Sequence, residues 1–195
     1  RLTFTSGGGL DITQGTVRIN GELNVLLRGT GYLNVSNAGS ELYADDLYDS
    51  ASDNWRTGGY FNVSDGGKIH VKGTSRLTYE RGNISGEGSQ VNTQTFFMGV
   101  FMSYGGDQFL SVNNKGEINA SEKLSLGYYN QDSNTTLVVS DMGKISAPEI
   151  SLSTNSELAL GAQEGEKAKS AGVIDAKEIE FVWASTDNKK ITLNH

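Results

Sequence analysis

Four aspartates fall close together in the stretch Asp45-Asp-Leu-Tyr-Asp-Ser-Ala-Ser-Asp53, and they are the densest set of hard oxygen donors in the chain. Asp45, Asp46, Asp49 and Asp53 are candidate Ca²⁺ ligands by residue type. Their spacing lacks the alternating oxygens and fixed glycine of a known calcium loop, so no metal is assigned. The same stretch carries Tyr48, Trp55 and Arg56. Tyr, Trp and Arg are typical anchors of protein interfaces, so 45–57 reads as a partner-contact loop. Phe101, Tyr104, Tyr128 and Tyr129 form a second candidate set, an aromatic row suited to a partner or a sugar face. Catalytic chemistry has little to work with. The only histidines are His70 and His195, and His70 alternates with Ile69 and Val71, which predicts that it faces solvent. No metalloprotease, nucleophile-elbow or phosphate-loop motif occurs, and Gly66-Gly-Lys68 reads as turn chemistry. The acidic residues fall mostly one per repeat, without the paired carboxylates of a glycoside hydrolase. No catalytic residue and no cofactor are expected.

The elements that would position these residues come from a repeat. An apolar anchor is followed four positions later by Gly in Val35-Ser-Asn-Ala-Gly39, Val63-Ser-Asp-Gly-Gly67, Ile84-Ser-Gly-Glu-Gly88, Val112-Asn-Asn-Lys-Gly116 and Val139-Ser-Asp-Met-Gly143. The anchors are 28, 21, 28 and 27 residues apart, averaging 26. Ahead of each anchor runs an alternating segment such as Tyr32-Leu-Asn-Val35 or Phe109-Leu-Ser-Val112. In a strand, residues two apart share a face, so Leu33 and Val35 point inward and Asn34 outward. Short polar residues and Gly then make a turn in which Gly supplies a positive φ. A second strand follows, as in Lys68-Ile-His-Val71, and a third appears in Phe97-Met-Gly99 and Lys123-Leu-Ser-Leu-Gly127. Two copies have one extra residue, Ser40 and Ser89, to be absorbed by a bulge or wider corner.

Three short strands in about 26 residues, with no helical period, predict an all-β, right-handed, three-faced parallel β-helix. Residues 1–195 read as a single such segment of about seven coils. The predicted core ladder is Val35, Val63, Ile84, Val112 and Val139. The predicted turn ladder is Asn37, Asp65, Gly86, Asn114 and Asp141, in which Gly86 and Asn114 separate the two carboxylates. A propeller blade needs a longer period, and a sandwich shows no fixed one.

Composition agrees with a thin stacked core: 25 Gly, one Pro and 36% apolar residues in 195. Net charge is −7 and basic residues are scattered, which argues against nucleic acid and against anionic membranes as partners. There is no cysteine, hence no disulfide framework and no thiolate metal site. No apolar run is long enough for a membrane-spanning helix. Both ends read as strand, so the chain is expected to be cut from something longer. Asn-x-Ser/Thr sequons at Asn34, Asn62, Asn83, Asn119 and Asn134 read as a by-product of the Asn/Ser-rich repeat.

The stretch Leu124-Ser-Leu-Gly127, Thr136-Leu-Val-Val-Ser-Asp-Met-Gly-Lys-Ile-Ser-Ala147, and then Ile150-Ser-Leu-Ser-Thr-Asn-Ser-Glu-Leu-Ala-Leu-Gly161, Ala171-Gly-Val-Ile-Asp-Ala176 and Ile191-Thr-Leu-Asn-His195 resembles the passenger domains of Gram-negative autotransporters. The similarity is to AIDA-type, self-associating adhesins, and it covers about 30–195. It departs at 163–170, which is charged here (Glu164, Glu166, Lys167, Lys169) and Ala/Pro-rich in that family. The resemblance implies a type V secreted virulence factor on the cell surface. Its membrane anchor would be a C-terminal barrel outside this chain. It also implies a role in cell adhesion, aggregation and biofilm, with no catalytic residues. The implied partners are a host surface protein or glycan, or identical passengers on neighbouring cells. Two alternatives accompany it: a structural stem that displays a distal binding domain and assists folding, and a polysaccharide-degrading β-helix enzyme.

Overall fold

The computed structural model describes residues 1–4, 8–25, 31–48, 59–77, 81–99, 107–127, 134–182 and 189–195. In chain order the strands are β1 (Leu2–Phe4), β2 (Gly9–Ile12), β3 (Thr16–Val25), β4 (Tyr32–Ser36) and β5 (Glu41–Tyr48). They continue as β6 (Tyr60–Ser64), β7 (Lys68–Val71), β8 (Thr74–Leu77), β9 (Arg81–Ser85) and β10 (Gln90–Met98). Next come β11 (Gln108–Asn113), β12 (Glu117–Leu126), β13 (Thr135–Val139), β14 (Lys144–Ser146) and β15 (Glu149–Leu152). The last four are β16 (Ser156–Gly161), β17 (Val173–Asp175), β18 (Glu178–Phe181) and β19 (Lys190–Asn194). Among the described residues there is no helix, and so none able to cross a membrane.

The strands form two parallel sheets, consistent with a β-helix-like stack. The first sheet has eight strands in the order β2-β4-β6-β9-β11-β13-β16-β19. The second has eleven, built on β1-β3-β5-β7-β10-β12-β14-β17 with β8, β15 and β18 alongside. The chain passes back and forth between the sheets, with β7–β8, β14–β15 and β17–β18 following one another within the second, so each strand pairs with its counterpart one repeat away. Among the described residues every strand pairing is parallel.

The long strands of the second sheet bend. In β10 the register shifts between Thr93 and Thr95: residues 90–92 pair with β7 and 95–98 with β8. Strand β12 pairs with both β14 and β15 in the same way. Lys72-Gly73 and Ala147-Pro148 interrupt the strands at this bend, and Pro148 is the only proline of the chain. A proline lacks the N–H a strand interior needs, so a corner is where it fits. Each repeat thus contributes one segment to the first sheet and two to the second.

The anchor ladder is in register. Val35 pairs with Val63, Val63 with Ile84, Ile84 with Val112 and Val112 with Val139, and all five are fully buried. It extends to Ile12 before Val35 and to Leu160 and Leu193 after Val139. One buried cluster runs from Ile12 to Leu158. Neighbouring layers adjust in size: Gly82 lies between Phe61 and Leu110, and Ser75 beneath Phe96. Ser75 stays satisfied because its hydroxyl bonds Thr93 Oγ1 at 3.1 Å.

The turn ladder also holds, with one correction. Asn37, Asp65, Gly86, Asn114 and Asp141 all have positive φ, between 48° and 100°. Asn, Asp and Gly tolerate this conformation best. The +4 glycines do not share the single role assigned to them. Gly39 and Gly88 have positive φ, but Gly67, Gly116 and Gly143 do not. A Cβ on Gly67 would collide with the carbonyl oxygen of Val35 in the preceding repeat. Gly116 stands in the same relation to Ile84, and Gly143 to Val112. Those three glycines therefore permit close backbone approach. The residues stacked with them are Ser40 and Ser89: Lys68 N–H donates to Ser40 O, Gln90 N–H to Gly67 O and Glu117 N–H to Ser89 O. The extra residue sits in the turn, where Ser89 Oγ donates to Ser85 O (2.8 Å) and accepts Gly66 N–H (3.0 Å).

Candidate functional site

The acidic stretch foreseen as a contact loop begins inside a strand. Asp45, Asp46 and Tyr48 belong to β5. Asp45 Oδ1 accepts from Lys72 Nζ at 2.5 Å across the corner. Asp46 Oδ1 accepts the Thr74 N–H at 2.8 Å, and a Cβ on Gly73 would meet that carboxylate. The two carboxylates thus secure the bend of the next repeat. Tyr48 faces outward and lies in register with Arg76, which is in register with Phe97. The Arg76 guanidinium sits 5.8 Å from the Tyr48 ring centre and 5.1 Å from that of Phe97, a cation–π arrangement. Asp49, Asp53, Trp55, Arg56, Phe101, Tyr104, Tyr128 and Tyr129 lie outside the described residues. Among the described residues no cluster of three His, Asp or Glu could hold a metal ion.

His70 points outward as expected, but it is half-buried rather than simply solvated. Its ring stacks on Tyr43 at 4.6 Å, and Arg18 caps the other side of Tyr43 at 3.9 Å. His70 Nδ1 lies 3.4 Å from Asn92 Nδ2, and Asn92 Oδ1 accepts from Asn119 at 3.0 Å. Burial lowers the His70 pKa below its usual value, Glu41 opposes this, and Lys68 and Arg18 add to it.

The first sheet carries two outward columns beside its buried anchors. One is an amide ladder. Asn34 Nδ2 donates to Asp11 (2.6 Å), Asn62 to Asn34 (2.7 Å), Asn83 to Asn62 (3.3 Å) and Asn113 to Asn83 (3.0 Å). This ladder is the physical origin of the sequons at 34, 62 and 83, whose Ser partners also take part: Asn62 Nδ2 reaches Ser64 Oγ at 3.2 Å. The second column, two residues before Asn34, Asn62 and Asn83, is Tyr32, Tyr60, Arg81, Phe109, Thr136, Glu157 and Lys190. Tyr32 and Tyr60 stack with centres 5.4 Å apart and planes 9° from parallel. Tyr60 remains 48% exposed. The two columns frame a depression of about 820 Å³, lined by Tyr60, Asn62, Arg81, Asn83, Asp107 and Phe109 among others. A second depression of about 770 Å³ shares Asp107 and Phe109 with it and reaches Glu157, Glu164 and Lys190.

Carboxylates along these depressions are tied to fixed partners. Asp107 Oδ1 accepts from Asn134 N–H (2.9 Å) and Nδ2 (3.0 Å). Glu157, almost fully buried, accepts from Thr192 Oγ1 at 2.7 Å and pairs with Lys190 at 3.5 Å. Lys190 also donates to Glu164 at 2.6 Å, which lowers the Glu164 pKa and raises that of Lys190. Such an array holds the charged loop 163–170 to the sheet.

Sequence reasoning missed Tyr60, Arg81, Phe109 and the amide ladder as a surface. The signal was there, since Tyr32 and Tyr60 stand two residues before outward Asn34 and Asn62. The chain therefore presents a parallel-stacked β scaffold with ladders of side chains on its outer faces. No family model matches the chain, and neither curated proteins nor solved structures yield a match.

Proposed function

We propose that this chain is a non-catalytic adhesive segment of an autotransporter-type passenger, displayed outside a bacterial cell and anchored by a barrel beyond this chain. In this reading the stack is a right-handed, three-faced β-helix with about 26 residues per coil. Support comes from the register, which carries the anchor position from Ile12 to Leu193 in seven steps of 21 to 33 residues. The observation that carries the function is the continuity of the outward columns. A stack holds equivalent side chains about 4.8 Å apart over many rungs, so weak contacts repeat along one line. Many weak contacts on many copies give firm attachment through multivalency. Cells displaying the chain should aggregate or attach to host-derived surfaces, whereas cells displaying the barrel alone should not. Equal behaviour of the two would refute the adhesive reading.

A second reading, a stem that carries a distal binding domain, is favoured by one observation. Asp45 and Asp46 secure the corner at Lys72–Thr74 rather than standing ready for a partner. The two readings separate when 49–58 are replaced by a short Gly/Ser linker, leaving β5 intact. Loss of adhesion with normal display supports the contact loop. Unchanged adhesion removes this loop as the contact, leaving the stem or another face.

A further inference from the structure

We infer that the outer face of the first sheet, centred on Tyr60, Asn62, Asn83 and Phe109, is a binding site for a neutral pyranose oligosaccharide. This rests on the adhesive reading and names its partner class.

The chemistry of the lining is the first ground. Tyr32 backs the Tyr60 ring on one side, which fixes its plane, while nearly half of Tyr60 remains open to solvent. Phe109 stands two rungs further along the same column, about 10 Å away by strand spacing. A pyranose ring has one face rich in C–H groups, and these pack on the electron-rich face of an aromatic ring. Its hydroxyls need hydrogen-bond partners at the rim. Asn62 and Asn83 supply acceptors. Each Oδ1 takes one bond from the ladder and keeps a second lone pair. Asp107 engages Oδ1 with Asn134, and among the described residues its Oδ2 makes no hydrogen bond.

Charge is the second ground. Arg81 and Asp107 are of opposite sign in the first depression. In the second, Glu157 and Glu164 face Lys189 and Lys190. The local sum is zero on a chain of net charge −7, which suits an uncharged ligand. Shape is the third. The column from Tyr60 to Lys190 covers five register steps, on the order of 24 Å, which accommodates a short linear oligomer. Extended peptides dock by adding a strand to a sheet edge. Here β6, β9 and β11 are paired on both sides, so the face offers side chains and no backbone row.

The test is titration of the purified chain with neutral oligosaccharides of four to six residues, namely glucose, mannose and N-acetylglucosamine oligomers. Two-dimensional NMR would follow the Asn62 and Asn83 side-chain amides and the Tyr60 and Phe109 rings. At least one oligomer should bind saturably and shift these signals. Tyr60→Ala should weaken it by about tenfold and Tyr60→Phe by far less, since stacking is retained. Thermal unfolding of both variants checks that the outward substitution leaves the stack intact. Absence of saturable binding by every oligomer overturns the proposal, as does binding unaffected by Tyr60→Ala and Phe109→Ala. Binding confined to acidic oligomers and abolished by Arg81→Ala also overturns it, in favour of an anion site. Cell adhesion without glycan binding would leave the adhesive reading standing and remove this site. Glycan binding without adhesion would do the reverse.

Discussion

At the scale of single residues, the turn shows two different reasons for one amino acid. Gly39 is needed for its backbone angle, φ +88°, with open space around it. Gly143 has no such angle and is needed because Val112 O lies where a side chain would go. Gly39→Ala should therefore cost about 1 kcal/mol, the strain of a left-handed alanine. Gly143→Ala must move backbone and should cost about 3 kcal/mol or more. Urea unfolding of the two variants distinguishes them; equal losses would refute the assignment. The sequence alone aligned these glycines because each follows its anchor by four residues. Which carbonyl from the preceding repeat lies over a residue is a property of the stack, and no local pattern carries it. His70 gives a second test. Its folded pKa lies below the unfolded value of about 6.5, so the unfolded chain binds the proton more readily. Stability is full above pH 6.5 and falls as pH drops through the window below it. His70→Asn, which continues the Asn92–Asn119 column, should flatten the fall in stability that begins as pH drops below about 6.5. Glu149 and Glu164, with pKa values lowered by Lys123 and Lys190, bring a separate loss at lower pH.

At the scale of elements, alternation made the strands legible. In β4, Leu33 and Val35 are buried and Asn34 is outward; β6, β11 and β12 repeat the rule. The apolar run Phe96-Phe97-Met98 is core at its first and third positions, in register with Leu124 and Leu126. Gln108 breaks the rule: it is buried on β11, and among the described residues neither its oxygen nor its nitrogen has a hydrogen-bond partner. An unmet buried amide is costly, and an apolar side chain of similar volume removes the cost. Gln108→Leu should raise stability by about 1 kcal/mol, read as a higher urea midpoint with an unchanged slope. The candidate site was less legible. Asp45 and Asp46 drew notice by their density, and the stack uses them for its own corner. Tyr60 and Phe109 looked ordinary, because a column appears only when residues from different repeats are set side by side.

At the scale of the molecule, stability should be a sum of rungs and their interfaces rather than a single all-or-none core. Interior rungs are paired on both sides, while among the described residues β19 pairs with β16 alone, with Leu193 68% exposed. Hydrogen exchange should therefore be slowest in β11 and β12 and fastest in β2, β18 and β19. Uniform exchange along the stack would show instead that the chain unfolds as one unit.

The register steps have a consequence for how such a molecule changes over generations. A step of 21 residues and one of 28 reach the same pairing, because the difference is taken up between strands. Variation in length is therefore insulated from the frame. Segments at these addresses can be lengthened, exchanged or replaced with foreign sequence while the rungs stay where they are. The outline of the molecule is thus free to change at one address at a time, without the folding problem having to be solved again.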